Sequence, residues 1–242
     1  MMKRHAQAIL MVLGFTLLGV PIAGAESKQE AKKAELEIKV DMDYLLYLPK
    51  GYGEEEKKWP LMVFLHGRGE SGNDLEKVKK HGPPKLIEQG KEFPFIIVSP
   101  QCPRDRWWTE VYIDALIDKI VDDYSVDEDR IYMTGLSMGG FGTWNYAGMH
   151  ADRLAAIAPI CGGGDPILAW SLKNLPIWAF HGEKDHTVPV ERTKMMVEAA
   201  RSRGNDEVKM TIYPDAEHDS WTETYNNPEL YEWFLSHTRK KR

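Results

Sequence analysis

Arg130-Ile131-Tyr132-Met133-Thr134-Gly135-Leu136-Ser137-Met138-Gly139-Gly140-Phe141-Gly142-Thr143-Trp144-Asn145-Tyr146-Ala147 reads as a strand, a sharp turn and a helix in direct succession. Ile131 to Thr134 is apolar with β-branched residues at both ends, as a buried strand requires. Ser137 stands between Gly135 and Gly139 in a G-x-S-x-G spacing. A strand that turns this abruptly into a helix holds its central serine in strained backbone geometry, and the two glycines leave room for the close strand-helix approach. The hydroxyl of Ser137 is thereby raised at the tip of the turn, a candidate nucleophile.

Working outward, unbroken apolar runs recur at Tyr44–Leu48, Leu61–Leu65, Phe95–Val98, Leu154–Ala158, Ile177–Phe180 and Val208–Ile212. Runs without polar alternation belong to strands buried on both faces, which is the signature of a parallel sheet covered by helices. The intervening stretches supply the helices, expected over 112–124, 141–149, 190–203 and 228–238, the last opening on Pro228 after the candidate caps Asn226 and Asn227. The fold class is therefore α/β, an open and mostly parallel sheet flanked by helices. Ligands of such sheets gather at the carboxyl ends of the strands.

The residues just after those ends carry the chemistry. His66-Gly67-Arg68-Gly69-Glu70 opens a glycine-rich loop whose backbone N–H groups are free to face a developing oxyanion. The amide of Met138, next after the serine, is one candidate donor, and that of Arg68 the other, with Gly69 as its alternative. His66 reads as a structural member of the loop. A serine hydroxyl needs a neutral imidazole to take its proton, and the imidazole needs a carboxylate to orient it. Asp185 follows the Ile177–Phe180 run and His218 follows Val208–Ile212. Asp165 is a rival acid on an earlier strand. His181 and His186 flank Asp185 too closely to serve the same serine, and with it they lack metal-ligand spacing. Glu183, Asp215 and Asp219 read as solvated loop charges; His81, His150 and His237 read as surface residues. Trp107, Trp108 and Trp221 fall near strand ends and are candidate substrate-binding walls.

The chain has 242 residues and a formal net charge of −6. Met1 to Ala25 has the basic start, short apolar centre and A-x-A site of a secretory signal peptide cleaved after Ala25. Its removal takes away Lys3 and Arg4 and no acid, leaving 217 residues with a charge of −8. Residues 26–242 suit a single domain. Glu26–Glu35 reads as a mobile or helical lead-in. The acidic balance excludes nucleic acid as a partner, and Arg239–Arg242 reads as a solvated tail. No further stretch suggests membrane insertion. Cys102 and Cys161 are free to bridge or not in an oxidising compartment. Oligomeric state is not legible.

The segments Phe64–Glu70, Gly135–Gly140, His181–Asp185 with Val188-Pro189, and Glu217-His218 with Trp221 together resemble the small α/β-hydrolases. The similarity lies with the carboxylesterase, phospholipase and dienelactone-hydrolase-like group, with predicted peptidases related to prolyl oligopeptidase, and with the feruloyl and acetylxylan esterases. It spans Tyr44 to the end. It implies the α/β-hydrolase fold, the chain order serine, acid, histidine as the triad Ser137, Asp185 and His218, and the oxyanion donors Arg68 and Met138. No metal or organic cofactor is implied. Serine in place of cysteine at the nucleophile departs from dienelactone hydrolase chemistry proper, and no large cap domain fits between Ile160 and Ile177. The expected activity is a secreted serine carboxylesterase acting on short-chain or aryl esters, small or polysaccharide-linked; the alternatives are a serine peptidase, an acyltransferase, or a non-catalytic binding protein.

Overall fold

The apolar runs pair into one seven-stranded sheet, seen in a computed structural model that describes residues 31–36, 39–54 and 56–240. The strands are β1 Tyr44–Tyr47, β2 Trp59–Leu65, β3 Ile96–Pro100, β4 Val126–Leu136, β5 Ala156–Ile160, β6 Ile177–Gly182 and β7 Val208–Tyr213. Their spatial order is β1-β3-β2-β4-β5-β6-β7, with β1 antiparallel to β3 and every other pairing parallel. The helices are α1 Gly82–Glu88, α2 Glu110–Asp123, α3 Met138–His150, α4 Glu191–Ser202, α5 Trp221–Asn226 and α6 Pro228–Leu235. The side chain of Asn227 caps α6, accepting from Glu229 N–H at 3.0 Å.

Alternate residues of β2 explain why both faces are covered. Leu61, Val63 and Leu65 pack with Ile113, Ile117 and Ile120 of α2, Trp144 of α3 and Met196 of α4 on one side. Met62 and Phe64 pack with Leu86 of α1, Tyr225 of α5 and Phe234 of α6 on the other. Burial of every β2 side chain removes any reason for polar alternation.

The structure sharpens three expectations. α1 and α5 are helices beyond the four that the sequence suggested. The described part of the lead-in, residues 31–35, has no regular secondary structure and is exposed. The tail is not simply solvated: Arg239 pairs with Asp129 at 2.9 Å, its N–H donates to the Asp129 carbonyl at 2.7 Å, and Lys240 pairs with Glu207. The signal peptide lies outside the described residues. Among the described residues no helix is long and apolar enough to cross a membrane.

β2 and β4 are neighbours whose chain connections leave in opposite directions, so the loops after their carboxyl ends part to form a crevice. The β2 loop is fastened by His66. Cys102 N–H donates to His66 Nε2 at 2.9 Å, so Nδ1 carries the proton and donates to the Gly67 carbonyl at 2.6 Å. Trp108 Nε1–H donates to the His66 carbonyl at 3.1 Å. The β4 turn is fastened by contact. A Cβ on Gly139 would collide with the Leu65 carbonyl, and one on Gly135 would stand 2.5 Å from the Gly139 carbonyl oxygen.

Two outcomes follow from these contacts. Gly139→Ala forces α3 away from β2 and costs about 3 kcal/mol, which calorimetry reads as a fall in melting temperature of about 10 °C for a chain of this size; an unchanged melting temperature contradicts the packing. Burial pushes His66 down to about 4, against the smaller upward pull of its bond to Gly67. The unfolded chain protonates this histidine below about 6.5 and the folded chain does not until near 4, so its contribution to stability falls as pH drops through that window, by about 3 kcal/mol. Denaturant unfolding at pH 7 and pH 4 checks this: His66→Gln loses less stability between the two than wild type, and parallel losses count against it.

Candidate active site

β4 delivers Ser137 at φ 52° and ψ −115°, outside the conformations a serine ordinarily adopts. Its N–H donates to the Ile160 carbonyl at 3.0 Å and to Cys161 Sγ at 3.3 Å, which ties the turn to the end of β5. α3 begins at Met138, so the Met138 N–H is one of the first-turn amides with no acceptor inside the helix.

His218 comes from the loop after β7. Its Nε2 lies 3.0 Å from Ser137 Oγ and its Nδ1 lies 2.7 Å from Asp185 Oδ2. A carboxylate can only accept, so Nδ1 carries the proton and the Nε2 lone pair faces the serine hydroxyl. Asp185 comes from the loop after β6 and is 6% exposed. Its Oδ1 accepts from Thr187 N–H and Val188 N–H, each at 2.8 Å. Burial pushes this carboxyl up, but the bonds from His218, Val188 and Thr187 outweigh it and hold it below its ordinary value. The two loops are stitched together by Glu183 N–H to the Tyr213 carbonyl at 2.9 Å and Lys184 N–H to the Ala216 carbonyl at 3.0 Å.

His181 is fully buried behind this line, its Nδ1 2.7 Å from Thr193 Oγ1 and its Nε2 2.8 Å from the Val188 carbonyl. Its Nε2 is also 3.1 Å from Asp185 Oδ2, so it backs the acid rather than reaching the serine. His186 is exposed. Asp165 caps the turn Pro166–Asn174 through Ile167 N–H at 3.0 Å and is not the acid partner of His218. Glu183 pairs with Lys194, Asp215 with Lys184, and Asp219 bonds Thr222. Cys102 and Cys161 are both buried free thiols. Cys161 Sγ, Asp185 and His218 offer ligand-type atoms within 4.8 Å of one another, but those of Asp185 and His218 are engaged in the hydrogen bonds just described.

Arg68 starts the single turn Arg68–Glu70 after β2, opposite Met138, and both residues line a cavity of about 410 Å³ in front of Ser137. Trp107 and Trp221 line it too. Trp107 is 53% exposed at the rim, edge-on to Phe141, with the Arg68 guanidinium 5.1 Å from its ring centre. Trp221 stands edge-on to His218, ring centres 5.2 Å apart. Trp108 does not line this cavity: it is buried against His66, and its one outer edge belongs to a separate hollow over α3. His81 corrects the surface reading, because it lines the cavity beside Glu70. Nothing in a lone histidine before Gly-Pro-Pro signals this; Glu70 was legible only as part of the glycine-rich loop. His150 stacks on Tyr146, and His237 bonds the Trp233 carbonyl, both outside the cavity.

Comparison with known proteins adds the family. A thermostable esterase of known structure superposes with a TM-score of 0.70 at 34% identity, over 83% of this chain and 60% of that one. Probable feruloyl esterase C of Aspergillus terreus is 28% identical over 62% of this chain and 57% of that protein. The bifunctional acetylxylan esterase/xylanase of Neocallimastix patriciarum is 24% identical over 72% of this chain and 26% of that protein. The chain thus spans between a quarter and three fifths of the length of these relatives. Residues 105–232, more than half of the chain, match the Dienelactone hydrolase family. With that match, and with a mostly parallel sheet flanked by helices, this chain of the α/β-hydrolase fold belongs to the dienelactone hydrolase family.

Proposed function

We propose that this chain is a secreted serine carboxylesterase that hydrolyses short-chain or aryl esters through an acyl-serine intermediate. The observation that carries the reading is the unbroken line from Ser137 Oγ through His218 to the buried Asp185. In the first half-reaction Ser137 Oγ attacks the ester carbonyl while His218 Nε2 takes its proton. The N–H groups of Arg68 and Met138 donate to the carbonyl oxygen as it becomes negative, each worth about 10²–10³ in kcat. Collapse of the tetrahedral adduct breaks the bond to the alcohol, which leaves with the proton from His218. Water enters, His218 takes its proton in turn, and the acyl-serine is hydrolysed. Asp185 stays ionised throughout and stabilises the imidazolium.

Pro166–Asn174 is the one regular element between β5 and β6, so among the described residues that connection builds no broad lid over the cavity. An open cavity walled by Trp107 and Trp221 favours soluble or polymer-attached esters over lipid in an interface. The basic and apolar leader ending at Ala25 is what supports secretion.

A fluorophosphonate probe labels wild-type protein and leaves Ser137→Ala unlabelled. On p-nitrophenyl acetate, Ser137→Ala lowers kcat about 10⁶-fold and Asp185→Asn about 10⁴-fold. Equal labelling of both proteins removes the nucleophile assignment, and faster cleavage of a peptide anilide than of the acetate replaces esterase with peptidase.

A further inference from the structure

The cavity holds a second acid and a second histidine that the hydrolytic steps leave unused. Glu70 closes the Arg68–Glu70 turn and is 6% exposed, yet it lines the cavity. Burial pushes its carboxyl up, against the opposing pull of Lys80 and of the amide N–H groups of Gly67 and of its own residue. His81, on the residue before α1, faces it with Nε2 3.8 Å from Glu70 Oε1.

Trp221 sets the tautomer of His81. An indole N–H can only donate, and Trp221 Nε1 lies 3.3 Å from His81 Nδ1. Nδ1 is therefore the acceptor, and the proton of the neutral ring sits on Nε2, toward Glu70. Burial, which pushes His81 below the usual histidine range, favours that neutral ring.

A donor and a carboxylate oxygen thus face each other across a gap too long for a hydrogen bond between them. One hydroxyl group seated on the cavity side of the pair bridges it: its oxygen accepts from His81 Nε2–H and its O–H donates to Glu70 Oε1. An ammonium has no lone pair to offer His81, a carboxylate meets the charge of Glu70, and a methyl leaves both groups unpaired. The pair also lies close to the reacting atoms. A Cβ built on Gly67 would stand 3.2 Å from Glu70 Oε2 and 3.6 Å from Ser137 Cβ, so those two atoms are no more than about 7 Å apart. At that range the hydroxyl belongs to the first or second carbon beyond the scissile carbonyl and not to the far end of an aryl acyl group.

We propose that Glu70 and His81 form a hydroxyl-recognition subsite, and that the preferred esters carry short 2- or 3-hydroxyacyl groups. The inference rests on the reading of Ser137 as the nucleophile, and it narrows the substrate class of that site.

The test compares kcat/KM for the p-nitrophenyl esters of 2-hydroxybutyrate, 3-hydroxybutyrate and butyrate, in wild type and in the Glu70→Gln and His81→Phe variants. Wild type is expected to favour one hydroxy ester over butyrate by about tenfold or more, and both variants bring that ratio to within about threefold of one. The ratio is read because Glu70 also holds the Gly67 amide, and His81→Phe keeps a ring against Trp221 should Glu70→Gln disturb the loop. A wild-type ratio near one, or a preference that survives both substitutions, overturns the subsite. A binding arm separates this from failure of the esterase reading: Ser137→Ala protein is titrated calorimetrically with ethyl 3-hydroxybutyrate, ethyl 2-hydroxybutyrate and ethyl butyrate. Tighter binding of a hydroxy ester, lost on adding His81→Phe, supports the subsite even if hydrolysis is absent, and equal binding of all three overturns it even if hydrolysis is present.

Discussion

Ser137 is held at φ 52°, where a side chain costs of order 1–3 kcal/mol, and the surroundings that keep it there organise the rest of the site. Its N–H is bonded to the end of β5, α3 starts at the very next residue, and Gly135 and Gly139 let α3 press against the carbonyl of Leu65. That contact also sets the spacing between the β4 turn and the Gly67–Glu70 turn, because Leu65 is the last residue of β2. The same close approach therefore fixes both the position of the hydroxyl and its distance from the amides across the crevice.

Two acid–histidine pairs meet at Trp221, and they differ in how their charge is satisfied. Asp185 has two backbone N–H groups on one oxygen and His218 on the other, with His181 close behind. Glu70 has its amide contacts and a histidine held beyond hydrogen-bond range. At an effective dielectric of about 20, two unit charges about 6 Å apart repel by about 3 kcal/mol. A bare carboxylate so near a forming oxyanion opposes the reaction, and a donor placed against it lessens that opposition. The first pair is built for permanent ionisation and the second for a visitor.

Much of the fold was legible because every central strand is buried on both faces and so reads as an unbroken apolar run, as Leu61–Leu65 does. α1 and α5 escaped because they are only 7 and 6 residues long and open on Gly82-Pro83-Pro84 and on Trp221, where the local chemistry reads equally well as loop. His81 was misread for a tertiary reason: Gly82, at φ 63°, packs directly on the ring of Phe64 and draws its neighbour inward, a contact no spacing announces. Trp107 and Trp108 are indistinguishable as neighbours in sequence. One ends at the rim against Phe141 and the other under His66, a difference set by tertiary contacts and not by their spacing. Arg239 was taken for solvent because its partner Asp129 lies 110 positions away.

The proton acceptor hangs from one edge of the sheet. Ser137 follows a central strand with a neighbour on either side, whereas His218 follows β7, an outermost strand paired on one side only. Its loop is steadied by two amide bonds to the Glu183–Lys184 stretch and by the flank of Trp221. Fraying at a sheet margin needs less free energy than global opening. Warming should therefore disable the chemistry while the core is still intact, with the imidazole swinging free ahead of any collapse of the β2–β4 interior.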